Sequence, residues 1–241
     1  MLSKKKFLAA VAVCCLAFAS TCFAAPEKFS VQADEMDYDL ATGKGSAKGH
    51  VVLVQGNSRA TADAAVFNSK DKSGRLTGNV VADRGDARIV CQEFIAHNED
   101  YVSAVGNASI TRLGRSVSAG RIDYYQSREY AETIGGWARL NDTDGSVLQA
   151  GKIDYNIAAG VAKAYGGVTI SSSARQLEAS ADSAVYETGA NGYIELQGNA
   201  KATQNGNSVA GDKLRLTNAN VAVADGNVKI IYLPQEQEAK A

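Results

Sequence analysis

An open, all-β sheet, bent along a crease, is the architecture this sequence predicts. Three observations carry the prediction. Glycine recurs at a fixed spacing, apolar and polar residues alternate with period two around it, and no segment beyond the N-terminus repeats its apolar residues every 3.6 positions. With 23 glycines but only two prolines in 241 residues, the turns fall to Gly, Asn, Asp and Ser.

The first two dozen residues stand apart. Lys4, Lys5 and Lys6 form a basic start, Phe7 to Ala19 an apolar run, and the small residues around Ala24 suit cleavage. The run is short for a bilayer span, so residues 1–24 are expected to be a removed secretory signal and the mature chain soluble. Thr21 before Cys22 fits a lipoprotein signal poorly. The expected mature chain keeps 22 basic against 26 acidic side chains, which argues against nucleic acid as a partner. It keeps one cysteine, Cys91, too few for an internal disulfide. No Pro- or Ser-rich linker divides the remainder, so residues 25–233 read as one elongated domain and 234–241 as a polar tail.

Seven similar units of about 30 residues fill that domain. Aligned, they share a column at Asp34, Asp63, Gln92, Gly120, Gly151, Asp182 and Asp212, spaced 28 to 31 residues apart. A second column lies between: Gly49-His50, Gly78-Asn79, Gly106-Asn107, Gly135-Gly136, Gly166-Gly167, Gly198-Asn199 and Gly226-Asn227. Each unit holds two strand-like segments joined by connectors such as QGNS, DRGD and QNGN. Fourteen segments follow, and loops this short favour antiparallel hairpins over crossovers.

Period two assigns the faces. Val51, Val80, Ala108, Trp137, Val168, Ala200 and Val228 lie two residues after the second-column glycine. Leu53, Ala82, Ile110, Arg139, Ile170, Ala202 and Ile230 lie four after. Both sets are expected inward, with the glycine itself inward to let the strand bend. A local bulge beside Trp137 is expected to turn Arg139 to solvent. Around the first column the apolar phase slips by one, from Ala60 and Ala62 to Ala65 and Phe67, or from Leu148 and Ala150 to Ile153 and Tyr155. A β-bulge at the Asp/Gly residue would keep both halves inward. Bends aligned down the stack fold the sheet into an apolar trough, lined by Tyr38, Leu53, Phe67, Ile110, Tyr124, Ile153, Tyr155, Val168, Ile170 and Tyr186. In an open trough, the core and the exposed lining are the same residues. The end segments are unguarded edges: Val31 and Met36 at the first, Val228, Ile230 and Tyr232 at the last. Such edges suit strand addition by another chain and head-to-tail self-association.

Reactive groups do not converge anywhere. His50 and His97 are the only histidines, and no zinc spacing or nucleophile elbow occurs. GKGSAKG, read as joining two strands, lacks the helix a phosphate loop needs. NDTDG at 141–145 reads as an Asp-Gly turn rather than a calcium loop. No enzyme, cofactor or metal is expected.

The pattern A-D-x-x-x-Y … G-N-V, repeated over residues 29–232, resembles the OstA-like family. VQADEMDYDLATGKGSAKGHVVLVQG and LEASADSAVYETGANGYIELQGNAKATQNG carry the likeness. Gly135-Gly136, Gly166-Gly167, Arg139, and Gln92 with Ala96 depart from it. The resemblance implies a periplasmic protein with an open antiparallel β-jellyroll, or β-taco, holding lipopolysaccharide acyl chains in its interior, against the residues that line the trough. It also implies end-to-end pairing with LptC-like and LptD-like β-jellyroll proteins, bridging an inner-membrane exporter and an outer-membrane translocon. The alternative is a structural or adhesive surface β-solenoid without lipid. A polysaccharide-processing β-helix would need clustered carboxylates on one face, whereas the recurring aspartates sit at bend positions.

Overall fold

The computed structural model describes residues 29–233, apart from 99, 144, 157, 160, 175, 188–192 and 218–221. The expected signal and the 234–241 tail lie outside the described residues. The first half holds β1 (Phe29–Gln32), β2 (Glu35–Tyr38), β3 (Lys44–Gln55), β4 (Ser58–Asn68), β5 (Ser73–Arg84), β6 (Ala87–Ala96), β7 (Tyr101–Arg112) and β8 (Arg115–Tyr125). After them come β9 (Tyr130–Ile134), β10 (Ala138–Asn141), β11 (Val147–Ala150), β12 (Lys152–Asn156) and β13 (Val161–Ser172). The last are β14 (Leu177–Glu187), β15 (Tyr193–Gln204), β16 (Asn207–Thr217), β17 (Ala222–Asp225) and β18 (Lys229–Ile231). No described helix is long and apolar enough to cross a membrane.

All 18 strands form one sheet, and every described pairing is antiparallel. That orientation excludes a parallel β-helix. Short turns make each strand pair with its successor from β3 to β8 and from β13 to β16. Elsewhere two short strands share one long neighbour. β1 and β2 both lie on β3, β9 and β10 on β8, β11 and β12 on β13, and β17 and β18 on β16.

Every break or register shift falls at one level across the sheet, and the two sequence columns meet there. Lys48 pairs with Ala64 and Val51 with Ala62, so Gly49-His50 opposes Asp63 alone. The extra residue therefore sits in the Gly-Asn strand, not in the Asp strand where the phase slip placed it. Period counting detects a slip but not which partner owns the surplus residue. Gly78 and Asn79 are both left-handed, at φ 77° and 48°, and Asn tolerates that region better than most residues. The glycine is required on the solvent side rather than the inner one. A Cβ on Gly78 would sit 2.7 Å from the Asp63 Cγ, and one on Gly106 2.5 Å from Gln92 Oε1. The carboxylate takes that space and the neighbouring amide holds it, with Asn79 Nδ2 donating to Asp63 at 2.9 Å and Asn199 to Asp182 at 3.0 Å. His50 supplies the same contact to Asp34 at 2.8 Å.

The phase slip itself is real, since Ala60, Ala62 and Ala65 are all buried. Inward residues from both sides of the crease make one core, in which Leu53, Phe94, Leu196 and Leu214 are the largest fully buried side chains. Burial of each stabilises by about 1.5–3 kcal/mol. Three inward assignments fail. Val228 and Ile230, at the last edge of the sheet, are 48% and 71% exposed. Trp137 is 65% exposed, because Gly135 and Gly136 at φ 89° and 105° shift the strand by a residue. Ala138 and Leu140 take the inward places, while Arg139 is exposed and donates to Asn141.

Candidate functional site: an inward groove with two unlike rims

Away from the crease, the inward residues of each half-strand end in a row at the rim of the folded sheet. On one rim the register runs from Tyr38 to Gly45, Phe67, Gly74, Ala96, Val102 and Tyr124. It continues through Ala131, Tyr155, Ala162, Tyr186, Ile194 and Leu216 to Ala222. The aromatic stripe of the sequence is thus one cross-strand row in which smaller residues separate the rings. The alternation is steric. A Cβ on Gly45 would lie 2.7 Å from Phe67 Cε2.

The opposite rim is polar. Its register runs Gln55, Ser58, Arg84, Ala87, Arg112, Arg115. Arg115 pairs with Asp142 and Arg112 Nε with Asp86 at 2.9 Å. Further along, Ser146 bonds Ser172 at 2.8 Å, and Ser172, Leu177, Gln204 and Asn207 continue the row.

The rims meet at the N-terminal end, where Phe29 beside Gln55 sets its ring edge-on to Phe67 at 6.1 Å and Tyr38 stacks on the same ring. In the C-terminal half they part. A cavity of about 170 Å³ opens there, walled by Leu140, Leu148, Ile153, Ile170, Leu177, Ile194 and Leu216, with Tyr186 and Tyr193 on one side and Asp142, Ser172 and Gln204 on the other.

Of the expected trough residues, Ile153, Ile170 and Tyr186 wall this cavity. Leu53, Ile110, Tyr124, Tyr155 and Val168 are buried in the core, Phe67 is half-buried and Tyr38 46% exposed. Of the expected edge residues, Val31 is half-buried against the core, whereas Met36, Val228, Ile230 and Tyr232 are exposed. The polar rim was missed, although its signal was available. Gln55, Arg84, Arg112, Ser172 and Gln204 each lie six residues after the second-column glycine, one period beyond the inward set.

The remaining reactive groups lie elsewhere. Asp123, almost wholly buried on the face away from the groove, accepts from Arg121 at 2.6 and 2.9 Å and from the Tyr101 hydroxyl at 2.8 Å. His97 bonds Ser103 at 2.9 Å; burial, then the nearby Arg121 cation, hold its pKa below the usual value. Cys91 is buried, which pushes its thiol up to about 11. Most of GKGSAKG is part of β3 itself rather than a connector. Asp142 of NDTDG turns to Arg115, and no cluster of three potential metal ligands occurs among the described residues.

No curated protein matches the chain. Among solved structures, LptH, the LptA homologous periplasmic component of the conserved lipopolysaccharide transport device from Pseudomonas aeruginosa, is 15% identical, with a TM-score of 0.19. The match covers 86% of this chain and 96% of that one. A family model described as LptA/(LptD N-terminal domain) LPS transport protein matches residues 30–221, from the first strand through β16. That span exceeds half of the sequence, and the family is one of transport proteins rather than enzymes. The chain belongs to the LptA/LptD N-terminal domain family of lipopolysaccharide transport proteins.

Proposed function

We propose that this protein is a periplasmic carrier of LptA type that holds the acyl chains of lipopolysaccharide non-covalently between its rims and hands them on. The observation that carries the reading is the cavity in the C-terminal half, whose walls are largely aliphatic and whose mouth lies between the ring row and the polar row. An acyl chain there leaves water for a largely aliphatic wall, at about 0.8 kcal/mol per methylene. Met36 and Tyr38 at one edge, and Ile230 and Ile231 at the other, are exposed on strands with one described neighbour each, and Tyr232 is exposed just past the second. Both edges suit strand addition, by LptC-like and LptD-like β-jellyroll partners or by a second copy head to tail. Assemblies that lengthen with protein concentration in light scattering are expected.

Ile170 and Thr169 are sequence neighbours on opposite faces, one on the cavity wall and one exposed. A photo-crosslinking side chain at 170 in living cells is expected to capture lipopolysaccharide, and one at 169 is not. Capture by neither, in protein shown to be folded in the periplasm, would defeat the carrier reading and favour a structural solenoid.

A further inference from the structure

The outer face of the sheet carries one feature that neither the core nor the groove accounts for. Trp137 is the only tryptophan in the chain, and it is 65% exposed. Its ring is nonetheless placed. The Cη2 atom lies 3.8 Å from where a Cβ on Gly167 would be, so the indole reaches past β11 toward β13. Gly135, Gly136, Gly151, Gly166 and Gly167 make the crease at this level, so bare backbone borders the ring there.

Polar groups border it on the other side. Arg139 is the next outward residue along the strand, about 7 Å on at two residues' rise. It stands in a register row that runs Ser118, Arg139, Gln149, Thr169, Ser180 and Lys201. The row holds two cations and no carboxylate. Arg139 donates from Nε to Asn141 at 2.9 Å, and neither it nor Lys201 pairs with a carboxylate among the described residues. Cations elsewhere on the outer face are neutralised in place: Arg75 by Glu93 at 2.6 Å, Arg88 by Asp83 at 3.0 Å and Lys213 by Glu195 at 2.9 Å.

The surroundings select the partner. A peptide strand cannot add here, because β10 and β11 each have a neighbour on both sides. The indole stands out from the sheet, offering a flat face rather than the pocket that an anchoring side chain needs. A sugar ring suits such a face. Its C–H bonds stack on the indole, its hydroxyls exchange hydrogen bonds with short polar side chains, and a carboxylate on it meets the arginine fork. We propose that Trp137 and Arg139, with Gln149 and Thr169 beside them, bind an acidic glycan chain on the outer face of the sheet. That glycan is separate from any lipid in the groove, because Leu140, one residue beyond Arg139, turns to the opposite face and walls the cavity. The inference goes beyond the carrier reading and does not depend on it.

The test uses a hexamer of galacturonic acid, with a hexamer of glucose as its uncharged counterpart. Titrated into the mature protein, the acidic hexamer is expected to give a saturable change in tryptophan emission, which reports on residue 137 alone. It should bind about tenfold more tightly than the neutral one, the scale of one charge-assisted hydrogen bond. By calorimetry, W137A and R139Q should each lose about tenfold in affinity, and R88Q, ion-paired on the same face, none. All three positions are exposed, so unchanged urea midpoints will report intact folds. No change in emission with the acidic hexamer overturns the proposal. Equal losses in R88Q and R139Q would reveal diffuse attraction and overturn it too. If hexaglutamate binds as tightly, the patch serves an acidic peptide and the glycan assignment falls. Oleate filling the groove should leave affinity for the hexamer unchanged. Competition would put the sugar in the groove and overturn the outer site, whereas failure of oleate to bind strikes at the carrier reading alone.

Discussion

Ala162 is the position at which filling the groove should separate binding from folding. It lies on the ring row between Tyr155 and Tyr186 and lines the 170 Å³ cavity. If a methylene needs about the ~30 Å³ share of a water molecule, the cavity holds five or six of them. At ~0.8 kcal/mol each, the lipid gains about 4–5 kcal/mol from that space. An indole at 162 occupies most of it, so A162W is expected to weaken acyl binding by about 3 kcal/mol, roughly 100-fold. The ring enters existing space, so the urea midpoint should move little. Ala131 is the control, because it shares the row but lies outside the cavity wall. A131W overpacks a closed region, and a loss of about 1–3 kcal/mol in stability is expected from it. Fatty-acid displacement and urea denaturation of both variants give the two readouts. Wild-type affinity in a folded A162W would refute the placement of chains in this cavity.

Three further expectations follow from the crease and the buried thiol. G78A forces a Cβ against the Asp63 carboxylate at φ 77° and should destabilise by about 2 kcal/mol or more in urea titrations; adding D63A should recover only the collision, because the backbone strain remains. His50 has its pKa raised above 6.5 by its hydrogen bond to Asp34 and then by that charge. Its stabilising contribution is complete below the unfolded value of 6.5 and is lost as pH rises through the raised folded value. An NMR titration should find the elevated pKa in the wild type and its loss in D34N, while H50N should remove the pH dependence across that window. Cys91, with its thiol at about 11, should resist aromatic disulfide reagents in native protein at mild alkaline pH and react at the rate of unfolding. Fast native labelling would contradict its burial.

Much of this was legible in the sequence because a strand that buries one face must alternate. Val51 and Leu53, or Val168 and Ile170, disclosed the inner face directly. The aromatic stripe disclosed a row, since Tyr124, Tyr155 and Tyr186 stand at one offset in successive units. Three things were not legible. Ownership of the bulge depends on the pairing between strands, so the slip at Asp63 did not disclose that the surplus residue lies in Gly78-Asn79 and Gly49-His50. Trp137 looked inward by count, and only the backbone of Gly135 and Gly136 shows the shift that exposes it. The polar rim followed the same period as the core, but its arginines and glutamines resemble the ends of strands running into solvent. Burial of Arg112 Nη1 becomes visible only in the folded sheet.

The crease is what makes unlike rims face each other. In a flat strand of period two, Ala60 and Ala62 would share a face with Ala64, and Phe67 would point the other way. The slip at Asp63 brings Ala65 and Phe67 back to the inner face, and the added residue in each Gly-Asn strand keeps its neighbour in step. Each column therefore depends on the other. An aspartate needs a glycine whose missing side chain it replaces, and an amide or imidazole to bond it, as at Asp182 with Gly198-Asn199. Where the first column has Gly120 or Gly151, the partners are Gly135-Gly136 and Gly166-Gly167, and the carbonyl oxygens of Gly135 and Gly166 lie 2.7 and 3.0 Å from where a Cβ would be. Those two sets cannot be exchanged one residue at a time. An aspartate at 120 would press its Cβ against a backbone oxygen that no side-chain change can move. The paired residue types at the bend thus fix the angle of every strand, and the angle sets the rings of one rim opposite the arginines of the other.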